Sequence, residues 1–351
     1  MEIETSTSNI CFDDILLVPK TSGVQSRKDV SLSSVIGNPN NSDAWIYLDF
    51  PVMTAPMEFI NSNDMIIALV NIGGMAFINK FQDDEKRFEQ FISLPENIKN
   101  LNRVGFGIDS NEADDDDFIK KILSYGVKTL VVDTAFGHLE RVVEVIKRLR
   151  SRIPDNVHIM TGNVSSYEAY KNLMDAGADS VRVGIGGGSA CITRVVTGFG
   201  VPVLSSVMDT YKHVKNDSIN GIISDGGIKE NGDIVKALAA GASAVMMGSM
   251  FAGHDECDKE NGRFLFRGLA SESIKLNSIN GVLPDEEPRH IEGVSGYIKE
   301  KGKIRQTLLR MVDNIKSGLS YCGAENLLDF RQNVRFIKVS SESLKESNRR
   351  I

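Results

Sequence analysis

The chain has 351 residues, a net charge of −7 and an ordinary globular balance of 41% apolar and 25% charged residues. That length fits one large domain or two small ones, and the acidic balance removes nucleic acid and anionic membrane surfaces from the expected partners. The four cysteines, Cys11, Cys191, Cys257 and Cys322, form no CxxC pair, so they suggest neither a zinc site nor a disulfide framework and fit a reducing cytoplasm.

The opening text, MEIETSTSNICFDD, is polar and acidic, unlike a secretory signal. No apolar run approaches the roughly 20 residues of a membrane span. Eight short apolar runs follow: PVMTAPM (51–57), MAFIN (75–79), RVGFGI (103–108), TLVVDTA (129–135), VHIMTGNV (157–164), SVRVGI (180–185), GIISDGG (221–227) and SAVMMGS (243–249). They lack strict alternation, as strands buried on both faces of a parallel sheet do. Helix-like text separates them. Residues 139–153 place Leu139, Val142, Val143 and Ile146 on one stripe, with Arg and Glu opposite. Residues 166–178 read as a second helix, and the DDDD run (114–117) as a solvated helix start. DAGADSV and AAGASAV each read as helix, glycine stop, strand.

Eight such units predict a (β/α)8 TIM barrel in preference to a doubly wound sheet, with the active site at the carboxyl ends of the strands. Those ends are polar or glycine-rich: TAPMEF, DTAFGH, GNVSS, GIGGGSAC, SDGGI and GSMFAG. Residues 250–330 exceed one closing helix. The segment LPDEEPRHIEGVSGYIKEKGK (283–303) is polar and rich in Gly and Pro, so a mobile lid is expected over 272–303. The whole chain, 1–351, reads as one catalytic barrel domain.

The densest stretch is GIGGGSACITR (184–194). The dinucleotide fingerprint needs GxGxxG opening a helix, and GxGGGS followed by a cysteine departs from it. One or two glycines satisfy a plain turn; four suggest that the backbone approaches something closely, with amides toward an anion or carbonyls toward a cation. Cys191 is either a buried structural thiol or a nucleophile. Thr193 and Arg194 stand beside it, Arg194 as a positive charge that favours a thiolate. SDGGI and MGSMFAG end the last two strands, where barrels often hold phosphate. Asp225 there is either turn chemistry or an acceptor for a ribose diol. Asp133 is either a helix cap or a carboxylate orienting a cofactor or proton relay. Glu292 is either a solvated surface charge or, if the lid docks, an acid or base. His138, His158, His213, His254 and His290 have no metal-ligand spacing, so no zinc is expected.

On these residues the sequence resembles the IMP dehydrogenase/GMP reductase family. The matching text runs in one order from FDDILLVPK (12–20) through TAPME, DTAFGH, GNVSS, GIGGGSACITR, SDGGI, MMGSMFAGH, FRGLAS and EGVSGY to SGLSYCGA (317–324). The resemblance implies a barrel enzyme in which Cys191 attacks C2 of a purine nucleotide and a nicotinamide carries hydride. It places the 5′-phosphate on Ser189, Gly227, Gly248 and Ser249, and the ribose on Asp225. Gly226, Arg267, Gly268 and Ala270 complete the substrate site. It assigns Lys80, Asp133, Ala135, Asn163 and Gly184 to the cofactor, and carbonyls of Gly186, Gly188 and Cys191 to a monovalent cation, K+. A cytoplasmic homotetramer is also implied.

The family runs two reactions. The dehydrogenase oxidises IMP to XMP; the reductase deaminates GMP to IMP with NADPH. TRVVTGFGVPVLSSVM (193–208), SDGG and FAGH resemble the reductase. No Arg-Tyr pair, which the dehydrogenase uses to activate water, lies between Ser271 and Glu292. Thr193 and Glu292 match the reductase's ammonia-handling pair. There is no room for the CBS insertion of most dehydrogenases. MMGSM, FRG and EGVSGY instead resemble the dehydrogenase, and MEFI (57–60) and INKF (78–81) depart from the usual wording, the latter from the reductase's basic, aromatic phrase. The expectation is a GMP reductase using NADPH, with an IMP dehydrogenase using NAD, or a catalytically silent nucleotide-binding homologue, as alternatives.

Overall fold

The computed structural model describes residues 9–99, 101–214, 219–268, 270–271 and 291–347. Its central sheet has eight parallel strands, each within one of the apolar runs. They are β1 (Val52–Thr54), β2 (Ala76–Ile78), β3 (Val104–Ile108), β4 (Thr129–Asp133), β5 (His158–Val164), β6 (Ser180–Val183), β7 (Ile222–Asp225) and β8 (Ala244–Met247). Their spatial order is β1-β8-β7-β6-β5-β4-β3-β2, and every neighbouring pair is parallel. A parallel bridge between Met53 and Met75 joins β1 to the start of β2, with Thr54 N donating to Met75 O at 3.2 Å and Met75 N to Val52 O at 3.1 Å. The sheet therefore comes round on itself as the expected barrel.

Burial explains why the strand text does not alternate. Every residue of β1, β2, β3, β4, β6 and β8 is buried, because inward side chains fill the barrel and outward ones meet helices. Only β5 and β7 open, at Asn163 and Asp225, near their carboxyl ends. The β5–β6 register shifts between Gly162 and Val164, a bulge of the kind that re-aims a side chain.

The outer layer is α1 (Asn63–Asn71), α2 (Asp84–Ser93), α3 (Asp116–Ser124), α4 (Glu140–Arg152), α5 (Tyr167–Asp175), α6 (Val203–His213), α7 (Asn231–Ala239) and α8 (Ile304–Ser320). α8 packs on both α7 and α1 and closes the ring. The buried stripe of α4 differs from the one expected. It consists of Val142, Val145, Ile146 and Leu149, whereas Leu139 is exposed and Val143 only partly buried. Both sets follow the i, i+3, i+4, i+7 spacing of one helix face; the face shifts because Leu139 precedes the helix as its cap. In the DDDD run, Asp115 caps α3 and accepts from the amides of Asp117 and Phe118. The two expected glycine stops are Gly177 and Gly241, at φ +106° and +110°.

Short pairs outside the barrel tie the chain together. Ile15–Leu17 runs antiparallel to Phe336–Lys338, and Ser34–Ile36 to Ile46–Leu48. The expected lid divides. Residues 272–290 lie outside the described residues. Residues 291–303 are not a plain loop: Ser295–Tyr297 pairs antiparallel with Leu265–Arg267, and Gly293 bridges both Cys191 and Ser271. The exposed side chains of that strand gave no apolar signal; main-chain pairing forms it, with Tyr297 Oη donating to Glu260 at 3.2 Å. Among the described residues, no helix is long and apolar enough to cross a membrane.

Candidate active site

At the carboxyl ends of the strands lies a cleft of about 280 Å³, open to solvent at its mouth. That is near the lower end of the ~300–1,000 Å³ typical of a small-ligand site. Its wall includes Cys191, Thr193, Glu292, Ser189, Asp225, Gly226, Gly227, Gly248, Ser249, Gly268, Ala270, Asp133, Ala135, Asn163, Gly184, Lys80, Gly186 and Gly188. Arg267 is not on it. That side chain is buried, donates to Glu58 at 3.0 Å and Glu260 at 3.1 Å, and lies over the Phe59 ring. It fastens the segments behind the cleft.

The glycine-rich loop is shaped by close contacts. Gly184 leaves β6 at φ +148°, and a Cβ there would lie 2.1 Å from Asp225 O, so only glycine lets the loop press against β7. Cys191 N then donates to Gly188 O at 3.0 Å, closing a turn beneath the thiol. Arg194 is occupied elsewhere: its guanidinium donates to Val201 O at 2.7 Å, and its stem lies over Gly186 and Gly200. It does not serve as the expected cation for the thiol.

Two main-chain bonds dock the residue 292 segment on this loop: Ile192 N to Glu292 O at 2.8 Å and Val294 N to Ala190 O at 2.9 Å. The side chains then form one chain. Cys191 Sγ is 3.1 Å from Thr193 Oγ1, and Thr193 Oγ1 donates to Glu292 Oε2 at 2.7 Å. The single hydroxyl proton of Thr193 is committed to Glu292, so its oxygen is left to accept from the thiol. Glu292 is thereby joined to the cysteine rather than left as a solvated surface charge. Cys257 and Cys322 are buried, and burial pushes the Cys257 thiol up to about 11; neither lines the cleft.

A charged cluster occupies another part of the wall. Arg182, fully buried on β6, pairs with Asp133 Oδ1 and lies 4.0 Å from Asp225 Oδ2. Lys80 Nζ is 3.5 Å from Asp133 Oδ2. Asn163 Nδ2 donates to Asp225 Oδ2 at 2.7 Å and Gly184 O at 2.9 Å. Burial alone would raise the Asp133 carboxyl, but Arg182 and Lys80 together outweigh it and hold the group below the usual carboxylate range. Asp225 moves the other way. Burial raises it, the neighbouring Asp133 charge adds to the rise, and Arg182 and Asn163 offset only part.

Arg182 is the residue that sequence reasoning missed. Its signal was present as the one charge inside the apolar run SVRVGI: a buried arginine requires carboxylate partners. Among the histidines, His158 is bound by Ala44 O and Ser180 Oγ, and His254 by Phe251 O and Thr307 Oγ1. His138 meets Asn172 and His213 meets Asp209 O; His290 lies outside the described residues.

Comparison with known proteins identifies the family and the fold. The family model described as IMP dehydrogenase / GMP reductase domain matches residues 9–350. The chain is 31% identical to an inosine-5'-monophosphate dehydrogenase of Borreliella burgdorferi, over 97% of this chain and 96% of that one. It is 37% identical to the protein of that name from Halalkalibacterium halodurans, over 75% of this chain and 56% of that one. For Nitrosopumilus maritimus the figures are 41%, 66% and 51%. The chain thus spans nearly all of the first relative's length and matches about half of the other two. Among solved structures it superposes with a cysteine-to-alanine variant of GMP reductase from Trypanosoma brucei in complex with guanosine 5'-monophosphate. There the TM-score is 0.85 with 22% identity, covering 99% of this chain and 98% of that one, a likeness of fold.

Proposed function

We propose that this chain, which belongs to the IMP dehydrogenase / GMP reductase family of nicotinamide-linked oxidoreductases, works as a GMP reductase, converting GMP to IMP and ammonia with NADPH. The observation that carries this reading is the unbroken chain from Cys191 Sγ through Thr193 Oγ1 to Glu292 Oε2. The thiol proton passes to Thr193 as the threonine proton passes to Glu292, leaving a thiolate and a protonated carboxyl. The thiolate adds to C2 of the purine, and the amino group leaves as ammonia, taking back the proton that Glu292 returns through Thr193. The same three groups thus serve both halves of the exchange.

The cleft wall carries groups suited to both a nucleotide and a nicotinamide. Ser189, Gly227, Gly248 and Ser249 would cradle the 5′-phosphate, Asp225 would accept the ribose hydroxyls, and Gly226, Gly268 and Ala270 would flank the base. Lys80, Asp133, Ala135, Asn163 and Gly184 would hold the nicotinamide half of NADPH, with Asp133 fixed in place by Arg182 and Lys80. A nicotinamide held by these residues would supply hydride to the purine. The Gly186, Gly188 and Cys191 carbonyls, all on the glycine-rich loop, would be the ligands of a monovalent cation such as K+. We take the working form to be a single-domain, cytoplasmic homotetramer.

IMP dehydrogenase is the second reading, favoured by the names of relatives 31% to 41% identical. The lack of an Arg-Tyr pair between Ser271 and Glu292 leaves that reaction without its water-activating group. The test is turnover in both directions: GMP with NADPH, and IMP with NAD, followed at the reduced-nicotinamide band. Loss of absorbance with GMP supports the reductase. A gain with IMP alone overturns it, and silence in both favours a nucleotide-binding homologue.

A further inference from the structure

Beyond the residues already assigned, we propose that Lys301 is a positioning residue for the nucleotide phosphate, acting through the turn that follows β8. The inference rests on the phosphate lying at Gly248 and Ser249. Lys301 Nζ donates to Ser249 O at 2.7 Å and reaches Met250 O at 3.5 Å. A trans peptide plane sets N–H opposite C=O. A clamp on Ser249 O therefore turns the Met250 amide away from the lysine. Phe251 N and Ala252 N both donate to Gly248 O, at 3.0 and 3.1 Å, so the amide of Phe251 is already engaged and the amide of Met250 is the one this clamp aims.

Among the described residues Lys301 forms no ion pair with a carboxylate, and the residue is exposed. Its contacts are carbonyl oxygens, which stabilise a cation without neutralising it. An anion on the cleft side of Ser249 would complete the pairing across the turn, where a neutral ligand would not.

The turn does not depend on the ammonium for its fold. Lys301 N donates to Gly253 O at 2.8 Å, Asp255 N to Gly302 O at 3.1 Å, and His254 Nε2 meets Thr307 Oγ1 at 2.9 Å. These survive replacement of the side chain, so Lys301→Met removes the clamp and leaves the ribbon.

The test measures affinity of the full-length protein for GMP and for guanosine, by titration calorimetry or, where weak, ligand-observed NMR. Wild type should prefer GMP. Lys301→Met should lose on the order of tenfold for GMP, the size of one charge-assisted contact, with guanosine unchanged, and Lys301→Arg should recover most of the loss. Equal losses for GMP and guanosine, or no loss for either, would overturn the role of Lys301 while leaving the phosphate assignment intact. A wild type that binds both ligands equally would overturn the phosphate assignment and this inference with it.

Discussion

Two parts of the cleft wall hold their groups in different ways. Cys191, Thr193 and Glu292 stand on a glycine-rich loop and a docked ribbon, joined by two side-chain hydrogen bonds. Asp133, Arg182 and Asp225 stand on adjacent or near-adjacent strands, fully or largely buried and joined by charge. The first part can pass protons and shift as a bond forms at sulfur; the second is a fixed field. The contrast teaches that damage to the loop side should appear in rate, and damage to the strand side in stability.

The largest expected effect falls on the loop side. Cys191→Ala should reduce turnover by at least about a thousandfold, since a covalent route has no substitute nucleophile. GMP affinity by calorimetry should stay close to wild type. Retained turnover would break the contrast at its centre.

On the strand side, Arg182→Met strands two carboxylates. Removing one partner of a buried pair costs about 3–5 kcal/mol, so the denaturant midpoint should fall sharply. An unchanged midpoint would show that the strand cluster is not a structural field at all.

Glu292→Gln keeps the shape of the relay but cannot carry its proton. A drop in kcat of about a hundredfold is expected, with little change in KM and in melting temperature. A matching fall in melting temperature would move Glu292 to the structural side.

The smallest effect is a difference in pH response. Asp133 is held low in the fold, so its contribution is present above the unfolded carboxylate value and is lost as pH falls through the still lower folded value. Asp225 is held high, so stability is full below the unfolded value and declines as pH rises through the folded one. Asp225→Asn should therefore gain on wild type between pH 4 and pH 7, whereas Asp133→Asn should trail wild type by a constant margin over that range and close the gap only below the ordinary carboxylate value. Unfolding midpoints at the two pH values decide it.

The barrel was legible because strands buried on both faces must be apolar throughout, and all eight runs became strands. The α4 stripe slipped because Leu139 looked like a helix face and proved to be a cap. The ribbon at 295–297 was illegible because its pairing is main-chain and its side chains are exposed. In the cleft, the family resemblance led to Cys191, Thr193 and Glu292, whose nearness no spacing could reveal across 99 residues. It also placed Arg267 with the substrate, where the fold gives it to Glu58 and Glu260. Arg182 was overlooked because its run was read for hydropathy alone.

The central claim is that the Cys191–Thr193–Glu292 relay serves a deamination. It is tested most directly by counting ammonia released against NADPH consumed when the protein turns over GMP. The account predicts one ammonia for each NADPH oxidised. NADPH and GMP left unchanged, with IMP reducing NAD and no ammonia appearing, would contradict it.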